Sequence, residues 1–262
     1  MDTDDVLDLM RRTAEEIITP RFRSLTEDEV FAKRPGDLVT IADREAELAM
    51  TPVLQRAFPD ALILGEEASE TNPQLLSAFM DAEHSFTIDP IDGTGNFVRG
   101  SDDHAVMVAE LRDGEVVRAW IWQPQHQTSL VAERGGGTWR NGMRLPQLTA
   151  TTDPSRWRGA SSHPRLRGRT VPPLAQIQQP WGCAGIDYAN LVAGMVDYVV
   201  FNKAKPWDHA PGALLLTEVG GSCVRLDGSN YRAVSDRPGL ICGANAAVTD
   251  SLRAMLWPSL TP

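Results

Sequence analysis

Two aspartates separated by Pro and Ile, at the end of an apolar segment, constrain the fold of this chain more than any other feature. Residues 89–94 read Asp-Pro-Ile-Asp-Gly-Thr, and residues 85–88 before them read Ser-Phe-Thr-Ile. The β-branched and aromatic residues at 85–88 predict a short buried strand. The C-terminal end of such a strand is where α/β proteins gather their chemistry, and Pro90 restricts the backbone of Asp89 as well as its own. Two like charges held this close predict a bound cation, and Mg²⁺ takes oxygen ligands of this kind.

Two further acidic positions stand at the ends of predicted elements. Glu66 follows the apolar run of residues 61–64, and Asp208 precedes the apolar stretch of residues 213–219. Asp208 is predicted to be the N-cap of a helix, with Pro211 in the first turn, where a missing N–H costs nothing. Each position alone has an ordinary structural explanation. The shared order and wide spacing of the three acidic segments favour one common site.

These segments and two flanking motifs resemble the inositol monophosphatase family, which includes the bisphosphate nucleotidases and the fructose bisphosphatases. The family signature acid-Pro-hydrophobic-Asp-Gly-Thr, with Asn-Phe two residues on, is matched by residues 89–97. The Trp-Asp signature, with its apolar helix and Gly-Gly, is matched by residues 207–221. A Gly-Glu-Glu segment at residues 65–67 and an N-terminal pattern at residues 37–43 extend the match over nearly the whole chain. The resemblance implies a phosphomonoester phosphatase of the α+β class, folded as a layered α/β/α/β/α sandwich.

The resemblance also implies which residues hold the metal. The first ion takes Glu66, Asp89 and the backbone carbonyl of Ile91. The second ion takes Asp89, Asp92 and Asp208. The family pattern implies two to three Mg²⁺ ions in all, with Mn²⁺ as a substitute.

Water and phosphate are expected to lie beside these ligands. By resemblance, Thr94 orients the attacking water, with Asp43 or Glu66 as its acidic partner. The resemblance also implies a third, weaker ion that involves Glu66, with Asp43 reaching it through water. The backbone N–H groups of Gly93 and Thr94 are expected to face the phosphate, because a short helix is predicted to begin there and helix N-termini bind anions.

The length and apolar pattern of the chain predict a mixed fold. At 262 residues, the chain is long enough for a large core and near the upper limit of one domain. The Thr-rich stretch of residues 148–158 is the best boundary between two lobes. Residues 1–150 would carry most metal ligands, and residues 151–262 would carry Asp208. Helices are predicted over about residues 6–18, 41–58, 184–195 and 246–256, and strands over residues 105–111, 116–122, 129–133 and 197–201.

The charge and the cysteine content argue against several classes of function. A net charge of −10 and a pI near 5.0 disfavour binding to nucleic acid or to an anionic membrane. A phosphorylated substrate would also be repelled unless bound metal reversed the sign locally. No apolar run approaches the ~20 residues of a membrane span, and the acidic N-terminus lacks the apolar region of a signal peptide. Three cysteines without a CxxC spacing fit reduced thiols in a cytoplasmic protein.

Departures from the family pattern bear on the substrate, a small phosphorylated metabolite. Phe201 stands where inositol-directed members carry a Glu that contacts the polyol, and Phe accepts no hydrogen bonds. Lys203 and Lys205 follow, and Lys205 is a candidate contact for a second anionic group, with an exposed loop charge as the alternative. Asp187 resembles a position beside the substrate, with a cap or structural acid as the alternative. Inositol monophosphate stays the family default, and histidinol phosphate, a sugar phosphate or bisphosphate and a nucleoside 3′,5′-bisphosphate compete with it.

The sequence leaves open the roles of Cys183 and His209 and a function of a different class. Cys183 is either near the substrate or a buried inert thiol, and His209 either contacts the leaving group or packs beside the metal loop. A regulatory or binding protein that keeps the fold is the alternative from a different class, and the complete acid set argues against it. The predicted assembly is a homodimer.

Overall fold

The chain is mixed α and β in this computed structural model, which describes residues 1–234 and 239–260, with side chains through residue 256. Its α-helices are α1 (Thr3–Thr13), α2 (Ile41–Ala57), α3 (Glu66–Thr71), α4 (Gln74–Asp81), α5 (Thr94–Val98), α6 (Ala184–Val192), α7 (Pro206–Glu218) and α8 (Ala246–Leu260). Its strands are β1 (Val30–Arg34), β2 (Asp37–Thr40), β3 (Leu62–Gly65), β4 (His84–Asp92), β5 (Ala105–Arg112), β6 (Glu115–Gln123), β7 (Thr128–Glu133), β8 (Gly137–Arg140), β9 (Met143–Arg144), β10 (Gly159–Ser161), β11 (Tyr198–Phe201), β12 (Ser222–Arg225) and β13 (Leu240–Gly243).

The strands form one hairpin and two larger sheets. β1 and β2 pair antiparallel. The strand order is β3-β4-β5-β6-β7-β8-β9 in the seven-stranded sheet and β10-β11-β13-β12 in the four-stranded sheet. The pairs β3–β4 and β10–β11 are parallel, and the other pairs within these two sheets are antiparallel. The predicted division into two lobes near residue 150 stays a prediction.

Apolar clusters stack the helices and sheets in layers. One cluster joins α1 and α2 to one face of the seven-stranded sheet, and Met10, Met50 and Phe86 are among its fully buried members. A second cluster joins the opposite face, through α6 and α7, to the four-stranded sheet, and includes Met107 and Leu215. A third joins the far face of the four-stranded sheet to α8. The layers run helix, sheet, helix, sheet, helix, so the predicted α/β/α/β/α sandwich of the α+β class is confirmed.

A capping box begins α2, as the sequence predicts. The side chain of Thr40 accepts a hydrogen bond from the backbone N–H of Asp43, and the carboxylate of Asp43 accepts one from the backbone N–H of Thr40 at 2.8 Å. This reciprocal pair satisfies two N–H groups that have no partner within the helix. It also buries Asp43 at the end of α2 that faces the acidic segments.

The start of α7 differs from its prediction. The helix begins at Pro206 with Lys205 as its N-cap, so Asp208 is the third helical residue and Pro211 lies beyond the first turn. The prediction of Asp208 as the N-cap is therefore wrong. Two prolines compete for the first helical position, and Pro206 takes it, because a fixed φ and a missing N–H are tolerated best there.

The predicted reduced state of the cysteines is wrong for two of the three. Cys223 on β12 and Cys242 on β13 stand directly opposite each other and form a disulfide. Nothing in their spacing of 19 residues indicates a bond, which becomes visible only when the two strands pair. Cys183 is a free, buried thiol.

Within residues 1–234 and 239–260, no helix combines the length and the apolar character needed to cross a bilayer.

Candidate active site

Three predicted metal ligands converge from three elements. Carboxylate oxygens of Glu66, Asp89 and Asp208 lie within 4.8 Å of one another. Glu66 follows β3, and its neighbour Gly65 pairs with Ile88 of the parallel strand β4. Because the C-terminal ends of parallel strands meet at one edge of a sheet, this pairing brings Glu66 next to Asp89. Helix α7 adds Asp208 from its first turn.

A bulge in β4 turns its two aspartates to the same side. Asp89 pairs with Met107 and Asp92 with Ala105, so three residue steps on β4 oppose two steps on β5. In a regular strand, residues three apart face opposite sides of the sheet. The extra residue of the bulge shifts the alternation of side chains by one position. Asp89 and Asp92 therefore both lie on the face that carries Met107 and Ala105, against which α6 and α7 pack. Ile91 between them packs into the cluster on the opposite face.

Asp92 lies beside the group of three carboxylates and is held by the start of α6. One of its oxygens, Oδ2, accepts hydrogen bonds from the backbone N–H of Gly185 at 2.5 Å and from the thiol of Cys183 at 3.0 Å. Cys183 is thus both a buried thiol and a partner of a predicted metal ligand, a role that the sequence did not indicate.

Thr94 links the end of β4 to α2. Its hydroxyl lies 3.1 Å from Oδ1 of Asp43 and 3.0 Å from the backbone carbonyl of Ile91. Gly93 precedes α5 with φ 81°, a left-handed conformation that favours glycine, and this turn lets the helix begin at Thr94. Burial raises the pKa of Asp43 to about 6, and its hydrogen bonds with Thr40 act in the opposite direction.

The acidic group is suited to a cation. Burial raises the pKa of Asp89 well above its usual value, and the charges of Glu66 and Asp92 raise it further. Burial likewise raises the pKa of Asp208, with Glu66 as the largest charged contributor. Carboxylates that destabilise one another in this way are stabilised by a divalent ion, and an all-oxygen donor set suits Mg²⁺. The residues present therefore fit the predicted metal.

Two residues of the site were missed from the sequence. The ammonium of Lys33, on β1, lies 2.8 Å from Oε1 of Glu66 and 2.6 Å from Oε1 of Glu67. Glu47, on α2, accepts hydrogen bonds from the first turn of α3. No motif indicates Lys33. Glu47 follows Asp43 by four residues and so shares its helix face, which was a usable signal.

A cavity of about 240 Å³ opens beside Asp92 and Asp208. Asp92, Cys183, Asp187, Phe201 and His209 line it together with Asp208 and Lys203. The adjoining cleft contains Glu66, Asp89, Gly93, Thr94, Lys203 and Lys205. A larger cavity of about 700 Å³ lies between α1 and strands β7 and β8, away from the acids, so size alone does not locate the chemistry.

The predicted substrate residues differ in their surroundings. Phe201 is 4% exposed and packs between Tyr188, with ring centres 5.2 Å apart, and His209, at 4.6 Å. His209 also lies 3.1 Å from the Tyr188 hydroxyl, so it packs and still borders the cavity. Asp187 accepts a hydrogen bond from the backbone N–H of Trp181, and burial raises its pKa to about 8. Lys205 lies over the ring of Trp207, at 5.2 Å from its centre.

Comparison with known proteins gives consistent results. A model of the inositol monophosphatase family matches residues 4–260. An inositol-1-monophosphatase of Rhizobium meliloti is 31% identical over 237 residues, which cover 87% of this chain and 86% of that protein. The Nus factor SuhB of Escherichia coli is 28% identical, over 95% of this chain and 94% of its own. The solved inositol monophosphatase (IMPase) of Thermotoga maritima superposes with a TM-score of 0.82 at 25% identity, over 98% of this chain and 97% of its own.

Proposed function

Because this chain belongs to the inositol monophosphatase family, and is therefore a phosphoric monoester hydrolase, we propose that it hydrolyses a small phosphomonoester in a Mg²⁺-dependent reaction. The observation that carries the proposal is the convergence of Glu66, Asp89 and Asp208 within 4.8 Å. This group lies in the same cleft as Gly93 and Thr94, which begin α5.

The proposed metal ligands are the residues that the family pattern implies. Glu66, Asp89 and the carbonyl of Ile91 would hold one ion, and Asp89, Asp92 and Asp208 a second. Two to three Mg²⁺ ions are expected, and Mn²⁺ should replace them. Bound there, such ions would neutralise phosphate charge and make water more acidic. Lys33 supplies one positive charge to Glu66, and the charges of Lys203 and Lys205 act on Asp208.

Thr94 and Asp43 are proposed to orient the attacking water. The Thr94 hydroxyl has one proton and two acceptors within 3.1 Å, Asp43 and the Ile91 carbonyl. When it donates to either acceptor, its lone pairs remain free to accept a hydrogen bond from water. That water would attack a phosphate bound by the backbone N–H groups of Gly93 and Thr94. Orientation of this kind contributes strongly to catalysis.

The leaving group is proposed to occupy the cavity beside Asp92. Its volume of about 240 Å³ suits a small metabolite. Phe201 offers this cavity an apolar edge, which disfavours a polyol, and Lys203 borders both this cavity and the metal cleft. A leaving group with fewer hydroxyls, or with a second negative charge near Lys203 or Lys205, is therefore favoured over inositol. Histidinol phosphate and a sugar bisphosphate fit this description.

A phosphate-release assay tests the proposal. The purified chain is incubated with a panel that contains inositol 1-phosphate, histidinol phosphate, sugar mono- and bisphosphates and a nucleoside 3′,5′-bisphosphate, with Mg²⁺ or with excess EDTA. We expect release with Mg²⁺ or Mn²⁺ from at least one compound, and none in EDTA. Full turnover in EDTA would exclude the metal mechanism. No release from any compound would favour the regulatory alternative. The homodimer and the cytoplasmic location remain predictions, which size-exclusion chromatography and cell fractionation address.

A further inference from the structure

The first turn of α3, which carries Glu66, is held by a residue of another helix. The backbone N–H groups of Glu67 and Ala68 donate to the two carboxylate oxygens of Glu47, each at 2.8 Å. The first N–H groups of a helix have no partner within it. The N-cap residue of α3 is Gly65, which has no side chain to supply one. The carboxylate of Glu47, on α2, serves as the cap that Gly65 cannot provide.

Gly65 is a glycine because of this contact. A Cβ at residue 65 would lie within 2.5 Å of the carboxyl carbon and both carboxylate oxygens of Glu47. The φ of Gly65 is −87°, a conformation that other residues adopt freely. Its backbone therefore does not require glycine, and the space that Glu47 occupies does.

Helix α2 fixes two neighbouring acidic segments at once. Asp43 and Glu47 stand one turn apart on the same face. Asp43 contacts Thr94, which follows β4, and Glu47 binds the backbone that follows β3. Since β3 and β4 are adjacent and parallel, one rigid helix sets the separation between the segment of Glu66 and the segment of Asp89.

We infer that Glu47 is a positioning residue for Glu66: it fixes the first turn of α3 so that the Glu66 carboxylate meets those of Asp89 and Asp208. The inference rests on the metal-binding role proposed for Glu66. It differs from a purely structural role in one measurable respect. A residue that only stabilises the fold alters the melting temperature, whereas a positioning residue also alters the affinity of the site for metal.

The test compares Glu47→Gln with the wild-type chain and with Glu45→Gln. Gln is isosteric with Glu, but it has one acceptor oxygen and places an NH₂ group against the second N–H. Glu45 lies on the same helix and pairs with Arg21 at 2.7 Å, away from α3, so it serves as a matched control. Mn²⁺ binding is measured without substrate, by electron paramagnetic resonance of free Mn²⁺ or by calorimetry.

We expect Glu47→Gln to weaken Mn²⁺ binding about 10-fold or more, as loss of an outer-shell partner does. Gly65→Ala should act in the same direction, because its methyl group displaces the carboxylate of Glu47 without removing the charge. Glu45→Gln should bind Mn²⁺ like the wild type. The Mg²⁺ concentration for half-maximal activity should rise in Glu47→Gln, with activity recovering at high Mg²⁺.

A folded Glu47→Gln variant with wild-type Mn²⁺ affinity would overturn the inference and leave the proposed function intact. A wild-type chain that binds no Mn²⁺ would overturn the proposed metal site instead. If the variants do not fold, hydrogen exchange of the wild-type chain is compared with and without Mn²⁺. Slower exchange of the Glu67 and Ala68 amides when Mn²⁺ is bound supports the inference, and exchange that Mn²⁺ leaves unchanged overturns it.

Discussion

The proposed metal site is expected to depend strongly on the negative charge of Asp208. Asp208→Asn keeps the shape of the side chain and removes one negative charge from the group of three. We expect kcat to fall by roughly two orders of magnitude or more, about 3 kcal/mol of transition-state stabilisation. The melting temperature without Mg²⁺ should stay equal or rise, because mutual repulsion among the acids falls. Steady-state kinetics at saturating Mg²⁺ and thermal unfolding measure both effects.

The same substitution at Asp92 should have a similar effect on kcat, and the exposed Asp250 offers a control that removes an equal charge elsewhere. Wild-type turnover in Asp208→Asn would remove this residue from the reaction.

Asp187 should make the stability of the chain depend on pH. Burial raises its pKa from 3.8 to about 8 in the folded chain, so the folded state binds a proton that the unfolded state releases. The contribution of Asp187 to stability is fully present below about pH 4 and is lost as the pH rises from about 4 to about 8. Asp187→Asn removes this loss. At pH 8 we expect the variant to be more stable than the wild type by at least ~1 kcal/mol, which raises the melting temperature by roughly 2–4 °C.

That difference should shrink towards pH 4.5, and Asp60→Asn, at an exposed turn, should show no such trend. An equal difference at both pH values would show that Asp187 is charged in the folded chain.

Phe201 should govern the choice of leaving group. Phe201→Glu introduces the acceptor that a polyol needs, at a position that lines the cavity. We expect kcat/KM for inositol 1-phosphate to rise relative to that of the best wild-type substrate, because a site built for hydroxyl groups discriminates strongly. The substrate panel described above measures the ratio. If inositol 1-phosphate is already the best wild-type substrate by a wide margin, this account of Phe201 is wrong.

At the scale of single residues, side chains that belong to a motif were predictable from the sequence. The side chains that contact those motif residues from elsewhere in the chain were not. Asp89 and Asp92 were identified because Pro and Gly-Thr surround them. Lys33 and Glu47 belong to no motif, and they bind Glu66 and its helix only when β1, α2 and α3 meet in space. A contact between residues far apart in the chain leaves no mark on local spacing.

Among elements, the four-stranded sheet carries the disulfide between β12 and β13. The bond closes a loop between residues 19 positions apart. A loop of this size is expected to contribute ~3 kcal/mol, mainly by restricting the unfolded chain. Reduction with a phosphine should therefore lower the melting temperature by roughly 5–10 °C for a chain of this size.

The double variant Cys223→Ser/Cys242→Ser serves as the control, since a reductant should not change its melting temperature. A wild-type chain that melts at the same temperature with and without reductant would indicate that the two thiols are unbonded in solution.

The boundaries of elements were predicted correctly where one local signal marks them. They were misplaced where two signals compete. The capping box at Thr40 was recognisable, and α2 ends at Ala57, within one residue of its prediction. The start of α7 was misplaced because Asp208 and Pro206 both favour a helix start. The prediction of helix over residues 6–18 holds only in part, since the α-helix ends at Thr13 and a π-helical turn continues to Ile18. Apolar spacing does not distinguish these two kinds of turn.

For the whole molecule, the layered sandwich was predictable through the family resemblance and not from periodicity alone. Periodicity located the strands of the meander, and the β3–β4 pairing that brings Glu66 to Asp89 joins segments that no local pattern connects. The same holds for the stacking of α6 and α7 between two sheets.

Mg²⁺ should stabilise the whole molecule, because the acids of the site belong to different layers. Asp89 comes from the seven-stranded sheet and Asp208 from α7, which packs on it. A ligand that binds only the folded chain stabilises it by about 2.7 kcal/mol at 100 times its Kd. We expect the melting temperature to rise with millimolar MgCl₂ and not with choline chloride of equal ionic strength. Asp208→Asn should lose most of the shift, and equal shifts with both salts would indicate general screening.

The extra residue in β4 has a consequence for how chains of this kind diverge. Surface connections such as residues 145–158 accept insertions at little cost. One residue added or removed between Asp89 and Asp92 would rotate the second carboxylate by half a turn, out of the site and towards the apolar layer where Ile91 packs. Point substitutions can still vary this segment. Insertions and deletions, by which loops commonly diverge, are not tolerated within residues 89–92.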